Sequence, residues 1–162
     1  MNITIPNLYD SDYQLWLEST IKQLRRGDFQ AVDWQNLLEE LADLGKNNRR
    51  ALESLLTRLL EHLLKLTYWQ SQRDYNQAAW KGEIRTFRKQ IKKLLRDSPS
   101  LKPYLSEILE ECYTDAREII IDITELDASI FPVEVLASLE EILAENWLPD
   151  WEAISNNSEK CN

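Results

Sequence analysis

Any chemistry in this chain has to be built from one histidine, two cysteines, a supply of carboxylates and a run of cations. A zinc site ordinarily takes several His or Cys ligands, and neither an HExxH nor a paired CxxC spacing occurs, so no metal or other cofactor is expected. A Ser-His-Asp or Cys-His site would have to bring a nucleophile to His62, and the nucleophile-elbow pattern is missing. His62 is left with two readings. In one it is a buried histidine whose ring nitrogens are satisfied by a carboxylate or a backbone carbonyl. In the other it is the centre of an enzyme or small-ligand site with Lys65, Arg85 or an acidic residue of a later helix. The carboxylate pair Glu39 and Glu40 suggests a partner for it. On a continuous helix, however, the 22 residues from Glu40 to His62 span about 33 Å, and adjacent side chains point about 100° apart. Pairing of Glu40 with Arg49, Arg50 or a neighbouring helix is the structural alternative.

The strongest electrostatic feature is the run Lys81, Arg85, Arg88, Lys89, Lys92, Lys93 and Arg96. Residues 81–102 carry a net charge of +6, against −2 for residues 1–80 and −13 for residues 103–162. Basic and aromatic residues together can hold phosphate backbones, and Tyr75, Trp80 and Phe87 lie close by in sequence. Trp80 and Phe87 also fit an apolar helical stripe, which makes them core. The acidic segment that follows can fold back on the cations, so charge pairing within the molecule or between subunits is the first reading. An acidic protein partner comes second and nucleic acid last, because the whole chain has a charge of −9. Among the six tryptophans, Trp147 and Trp151 near the end offer a docking patch, or else fold back to close the core.

The elements that must position these residues are helices. Only three glycines and five prolines interrupt the chain, too few to punctuate a sandwich or barrel of short strands. Tyr13, Leu17, Ile21 and Leu24 share one face of a first helix that begins near Asp10 or Ser11 and ends at Arg26, before Gly27. From Asp33 a seam with alternating steps of four and three runs through Trp34, Leu38, Leu41, Gly45, Asn48, Leu52, Leu55, Leu59, His62, Leu66 and Trp69. Leu37 and Leu44 widen it. This spacing predicts one long helix over 34–69, buried along that seam and open to a kink at Gly45, which costs about 1 kcal/mol inside a helix. Asn48 is a polar intruder of the type that fixes register, or that faces its counterpart in a second subunit. A polar loop is expected over 70–76, then helices over 77–96, 100–123 and 133–144. The chain is thus predicted to be all-α, an antiparallel bundle of about four main helices plus a short C-terminal one. Its expected organisation is a single domain over 1–154 with a polar, mobile tail over 155–162. No membrane span and no secretory leader are expected, and two cysteines without a disulfide framework point to the cytoplasm.

Several patterns in order resemble the bacterial family catalogued as domain of unknown function 29. They are Tyr9-Asp10-x-Asp12-Tyr13-x-x-Trp16, then Asp33-Trp34-x-x-Leu37-x-Glu39-Glu40-x-x-x-Leu44-Gly45, then Arg49-Arg50 and Leu60-x-His62-Leu63-Leu64-Lys65. Trp80 with Ile84 and Arg88, the run Arg96-Asp97-Ser98-Pro99-Ser100-Leu101, Phe131-Pro132 and Trp147-Leu148-Pro149 continue the likeness across residues 9–149. The resemblance implies a small helical bundle in a bacterial cytoplasm and implies no activity. Without a catalytic constellation, the sequence favours a non-catalytic interaction module or homo-oligomer.

Overall fold

A computed structural model describes residues 7–153, and every described secondary-structure element is helical. In chain order these are α1 (Leu8–Ser11), α2 (Tyr13–Arg26), α3 (Trp34–Tyr68), α4 (Gln70–Asp97), α5 (Lys102–Glu107), α6 (Leu109–Thr124) and α7 (Leu139–Leu143), with 3-10 turns at Pro99–Leu101 and Ala128–Ile130. The chain divides into two compact units, Met1–Asn47 and Asn48–Asn162. The tail expected over 155–162, which includes Cys161, lies outside the described residues.

In the first unit, Asp12 caps α2 by accepting the Leu15 N–H at 3.0 Å, one or two residues later than the start expected near Asp10 or Ser11. Gly27 ends the helix at φ 73°, a left-handed geometry open to glycine without a Cβ clash. Trp16, Thr20 and Val32 are buried. Asp33 caps α3 by accepting the Asn36 backbone and side-chain N–H groups, chiefly the latter, and these hold its carboxyl below the usual range. The Trp16 indole N–H is buried without an aligned acceptor, although it lies near enough to Asp33 to help lower that pKa.

α3 is unbroken through Gly45. Its seam is buried only from Leu52 onward. Leu52, Leu56, Leu59, Leu60, Leu63, Leu64 and Leu66 are sealed, whereas every residue from 41 to 50 is exposed. The expected burial of Trp34, Leu38, Leu41 and Leu44 therefore does not occur, because no described element covers that face.

In the second unit the loop expected over 70–76 is helix. Only Trp69 separates α3 from α4, and Arg73 donates from Nε to the Leu66 carbonyl and from its terminal nitrogen to that of Thr67. Those carbonyls belong to the last turn of α3, which has no partners of its own for them. Polar residues here form a solvated helix face, since polarity without Gly or Pro does not end a helix. His62 meets Phe87 and Trp69 meets Trp80, ring to ring at 5.3 and 5.9 Å, so the two helices run antiparallel. Their leucines join Trp80, Ile84, Phe87, Ile91, Leu105, Ile108, Cys112, Tyr113, Ile120, Phe131 and Ile142 in one core. The helix expected over 100–123 is interrupted at Ile108, and the one expected over 133–144 shrinks to Leu139–Leu143. A reciprocal capping box between Ser138 and Glu141 sets that start. The result is an all-α helical bundle.

Candidate functional site

The nominated residues do not converge on His62; Arg85, Arg88, Lys89 and Lys92 instead line one small cleft on α4. His62 is half-buried; its Nδ1–H donates to the Arg58 carbonyl at 2.8 Å, one turn back on α3. A carbonyl can only accept, so this bond assigns the proton to Nδ1 and leaves Nε2 as the basic nitrogen. Burial first, then the cations Lys65 and Arg58, holds the imidazole pKa below its ordinary value, against the opposing pull of the Arg58 carbonyl and Glu83. Lys65 makes no ion pair among the described residues. Two clefts of about 430 and 420 Å³ are present, one beside Tyr113 and Val133, the other beside Tyr68 and Ile130. Neither is lined by His62 or by any other nominated residue. Among the described residues no group of three His, Cys, Asp or Glu side chains converges as a metal ion would require.

Glu40 does not reach Arg49. Its two oxygens accept the hydroxyls of Tyr9 at 2.6 Å and Tyr13 at 2.8 Å, and the rings of Tyr9, Tyr13 and Trp16 pack edge to face or tilted on one another. The hydrogen bond to Glu40 pushes the Tyr9 pKa up to about 12. One carboxylate thus ties α1 and the start of α2 to α3. Arg49 lies 5.1 Å over the ring of Tyr104, whose hydroxyl donates to Glu53. That bond raises the Tyr104 pKa to about 12.

Within the chain, no described ion pair joins the basic helix to the acidic segment, although Glu145 lines a cleft beside its cations. Among the described residues the ion pairs are the local Lys46–Asp43 and Arg96–Asp97, both exposed. Arg88, nominated as surface, is only 3% exposed. Its guanidinium donates to the carbonyls of Ile142 at 2.7 Å, Glu145 at 3.3 Å and Trp147 at 2.9 Å. Burial holds its pKa down. Lys81 reaches Gln77 and lies 5.0 Å from the ring centre of Trp151. Arg85, Lys89, Lys92 and Lys93 are exposed. Trp80 is core, stacked on Trp69, and Trp147 and Trp151 are half-buried against the core, so the C-terminal aromatics fold back rather than stand free.

Sequence reasoning missed Arg73, which lay in a predicted loop. It also missed Arg117, which donates to the carbonyls of Phe131 and Ala128. An arginine that caps distant backbone leaves no periodic signal. The Tyr9–Tyr13 pair did leave one, a four-residue spacing inside the first family-like pattern.

Among the described residues no helix is long and apolar enough to cross a membrane. No curated protein and no solved structure matches the chain. The family model described as "Domain of unknown function DUF29" matches residues 8–148, nearly the whole length described above, and by that match this chain is a member of the DUF29 family.

Proposed function

We propose that this protein is a non-catalytic interaction module whose partner is a second copy of itself, laid antiparallel along α3. One observation carries the reading: residues 41–50 are all exposed on a helix whose stripe brings Trp34, Leu38, Leu41 and Leu44 to the surface before it passes through Gly45 and Asn48. Trp34 is 45% exposed, Leu38 60%, Leu41 55% and Leu44 61%. Among these ten exposed residues the tertiary contact described is Arg49 over Tyr104, and ten residues of helix are marginal alone in water. Burying each leucine against a partner stabilises by about 1.5–3 kcal/mol. Gly45 sits on the stripe, and a Cβ there would meet nothing within 4 Å, so nothing inside the chain requires a glycine at that point. A close crossing of two helices would.

Charge order selects the direction. Along α3 the acidic Glu39, Glu40 and Asp43 precede the basic Lys46, Arg49 and Arg50. A reversed copy sets acid beside base, and opposed helix dipoles favour the same arrangement. These charges lie on the back and flanks of the stripe, so they align the pair rather than lock it. The setting in this reading is a bacterial cytoplasm, in keeping with only two cysteines.

Sedimentation equilibrium on the full chain tests the proposal. The expected result is a dimer that Leu41→Glu with Leu44→Glu weakens at least about tenfold, or 1.4 kcal/mol, with helicity retained. A strictly monomeric natural chain, or a dimer indifferent to those changes, would end the reading. One spin label per copy at Gln35 tests direction. A two-fold axis at Gly45 puts the two labels about 30 Å apart at 1.5 Å per residue, while a parallel pair puts them side by side.

A further inference from the structure

We infer that the short cleft on α4 between Arg85, Arg88, Lys89 and Lys92 is a binding site for a single phosphate group. The inference is independent of the self-association proposed above. It begins with Arg88, a buried cation with no carboxylate partner among the described residues. Buried charges in proteins are ordinarily paired. The three carbonyls of Ile142, Glu145 and Trp147 solvate the guanidinium but carry no net charge to offset it. Three of its five N–H groups are used in those bonds, leaving two.

The second observation is the cleft itself. Arg85, Lys89 and Lys92 stand three residues before, one after and four after Arg88, and all four cations line one cavity of about 60 Å³. Helical spacing puts Arg85, Arg88 and Lys92 on one face, with Lys89 at its border. Arg85, Lys89 and Lys92 have no ion pair among the described residues. Glu145 is the one acid lining the cavity, so four positive charges converge against one negative. Such a field concentrates small anions, and guanidinium groups match phosphate oxygens in pairs.

The size of the site sets the ligand class. A cavity of about 60 Å³ admits one tetrahedral oxyanion, far below the roughly 300 Å³ at which pockets begin to enclose a larger organic molecule. An extended nucleic-acid strand is disfavoured because the cations at either end of the helix are engaged elsewhere. Lys81 is held at Gln77 and over Trp151, and Arg96 is beside Asp97. Free inorganic phosphate and a phosphate ester on a small molecule share this chemistry. Occupancy has a structural consequence, since Arg88 holds the segment that contains α7 and Trp147. An anion beside it offsets the charge that those carbonyls now face alone, which steadies the C-terminal segment.

The experiment is a thermal-melt and NMR titration of the full chain with inorganic phosphate, with sodium chloride at matched ionic strength as reference. Phosphate is expected to raise the melting temperature saturably, and to shift amide signals of 85–92 and 142–147 together. Arg85→Gln with Lys89→Gln, both exposed positions, should abolish both effects while leaving the melt in chloride unchanged. Tighter binding of phosphoethanolamine than of inorganic phosphate would identify the ester as the source, and the reverse order would identify the free ion. Equal responses to chloride and phosphate, or an undiminished phosphate response in the double variant, would overturn the site. So would a short RNA that binds more tightly than phosphate and loses its grip with Lys81→Gln and Arg96→Gln.

Discussion

The two halves of α3 carry the same alternation of leucines at three and four, yet one half is the centre of a core and the other faces water. From Leu52 to Leu66 the stripe meets α4, α5 and α6 and is sealed. From Trp34 to Leu44 its large side chains stay exposed among the described residues, although the Trp34 indole N–H donates to the Phe29 carbonyl, while the neighbouring side is held by the Tyr9 and Tyr13 hydroxyls on Glu40. Periodicity reports which residues share a face. It is silent about what the face rests on, and an inward seam and an outward one read alike.

Core truncation and stripe truncation should therefore separate widely. Leu60→Ala, at a fully buried position, is expected to cost about 2–5 kcal/mol in denaturant unfolding. Leu41→Ala, measured at a concentration where the chain is monomeric, should stay within about 0.5 kcal/mol. Equal losses would erase the contrast between the halves.

A smaller effect comes from His62 in the buried half. His62→Ala removes the bond to the Arg58 carbonyl and some packing on Phe87, and should cost on the order of 1–3 kcal/mol. Its pH signature has a fixed sign. The folded-state pKa is depressed, so the unfolded chain binds the proton first as pH falls. Stability is full above the unfolded value near 6.5 and declines as pH drops through it, and His62→Gln should flatten that slope. Glu61 works in the opposite sense. Burial raises its pKa, so its contribution declines as pH rises through the carboxylate range. An unchanged slope near pH 6.5 in His62→Gln would contradict the placement of His62.

The smallest effect is at Gly45. With open space around a Cβ there, Gly45→Ala should stabilise the monomer by up to about 1 kcal/mol through helix propensity alone. A destabilised monomer would reveal a contact on the outward half.

Much of the helical layout was legible because local rules govern it. Gly27 stops α2 directly after Arg26, where the helix was expected to end, and the heptad-like spacing marked α3 as one long helix. Where local signals were weak the reading failed. The polar run 70–76 looked like a loop and is the first two turns of α4, because Arg73 ties it to the carbonyls ending α3. The candidate site was less legible still. A basic helix was evident from composition, but its fate turned on whether acidic side chains from the C-terminal segment came within reach, and instead three backbone carbonyls came to Arg88.

What the sequence determined by itself was the helical character, the register of apolar and polar faces, and the absence of familiar zinc and nucleophile spacings. These depend on residues three and four apart, whose geometry the helix dictates. Only the tertiary structure decided which half of α3 is covered, that Glu40 belongs to two tyrosines, and that Arg88 is buried while Arg85, Lys89 and Lys92 stay open around a small cavity. Those outcomes join residues 27 to 59 positions apart, a separation over which neighbouring chemistry carries no information and packing alone determines who meets whom.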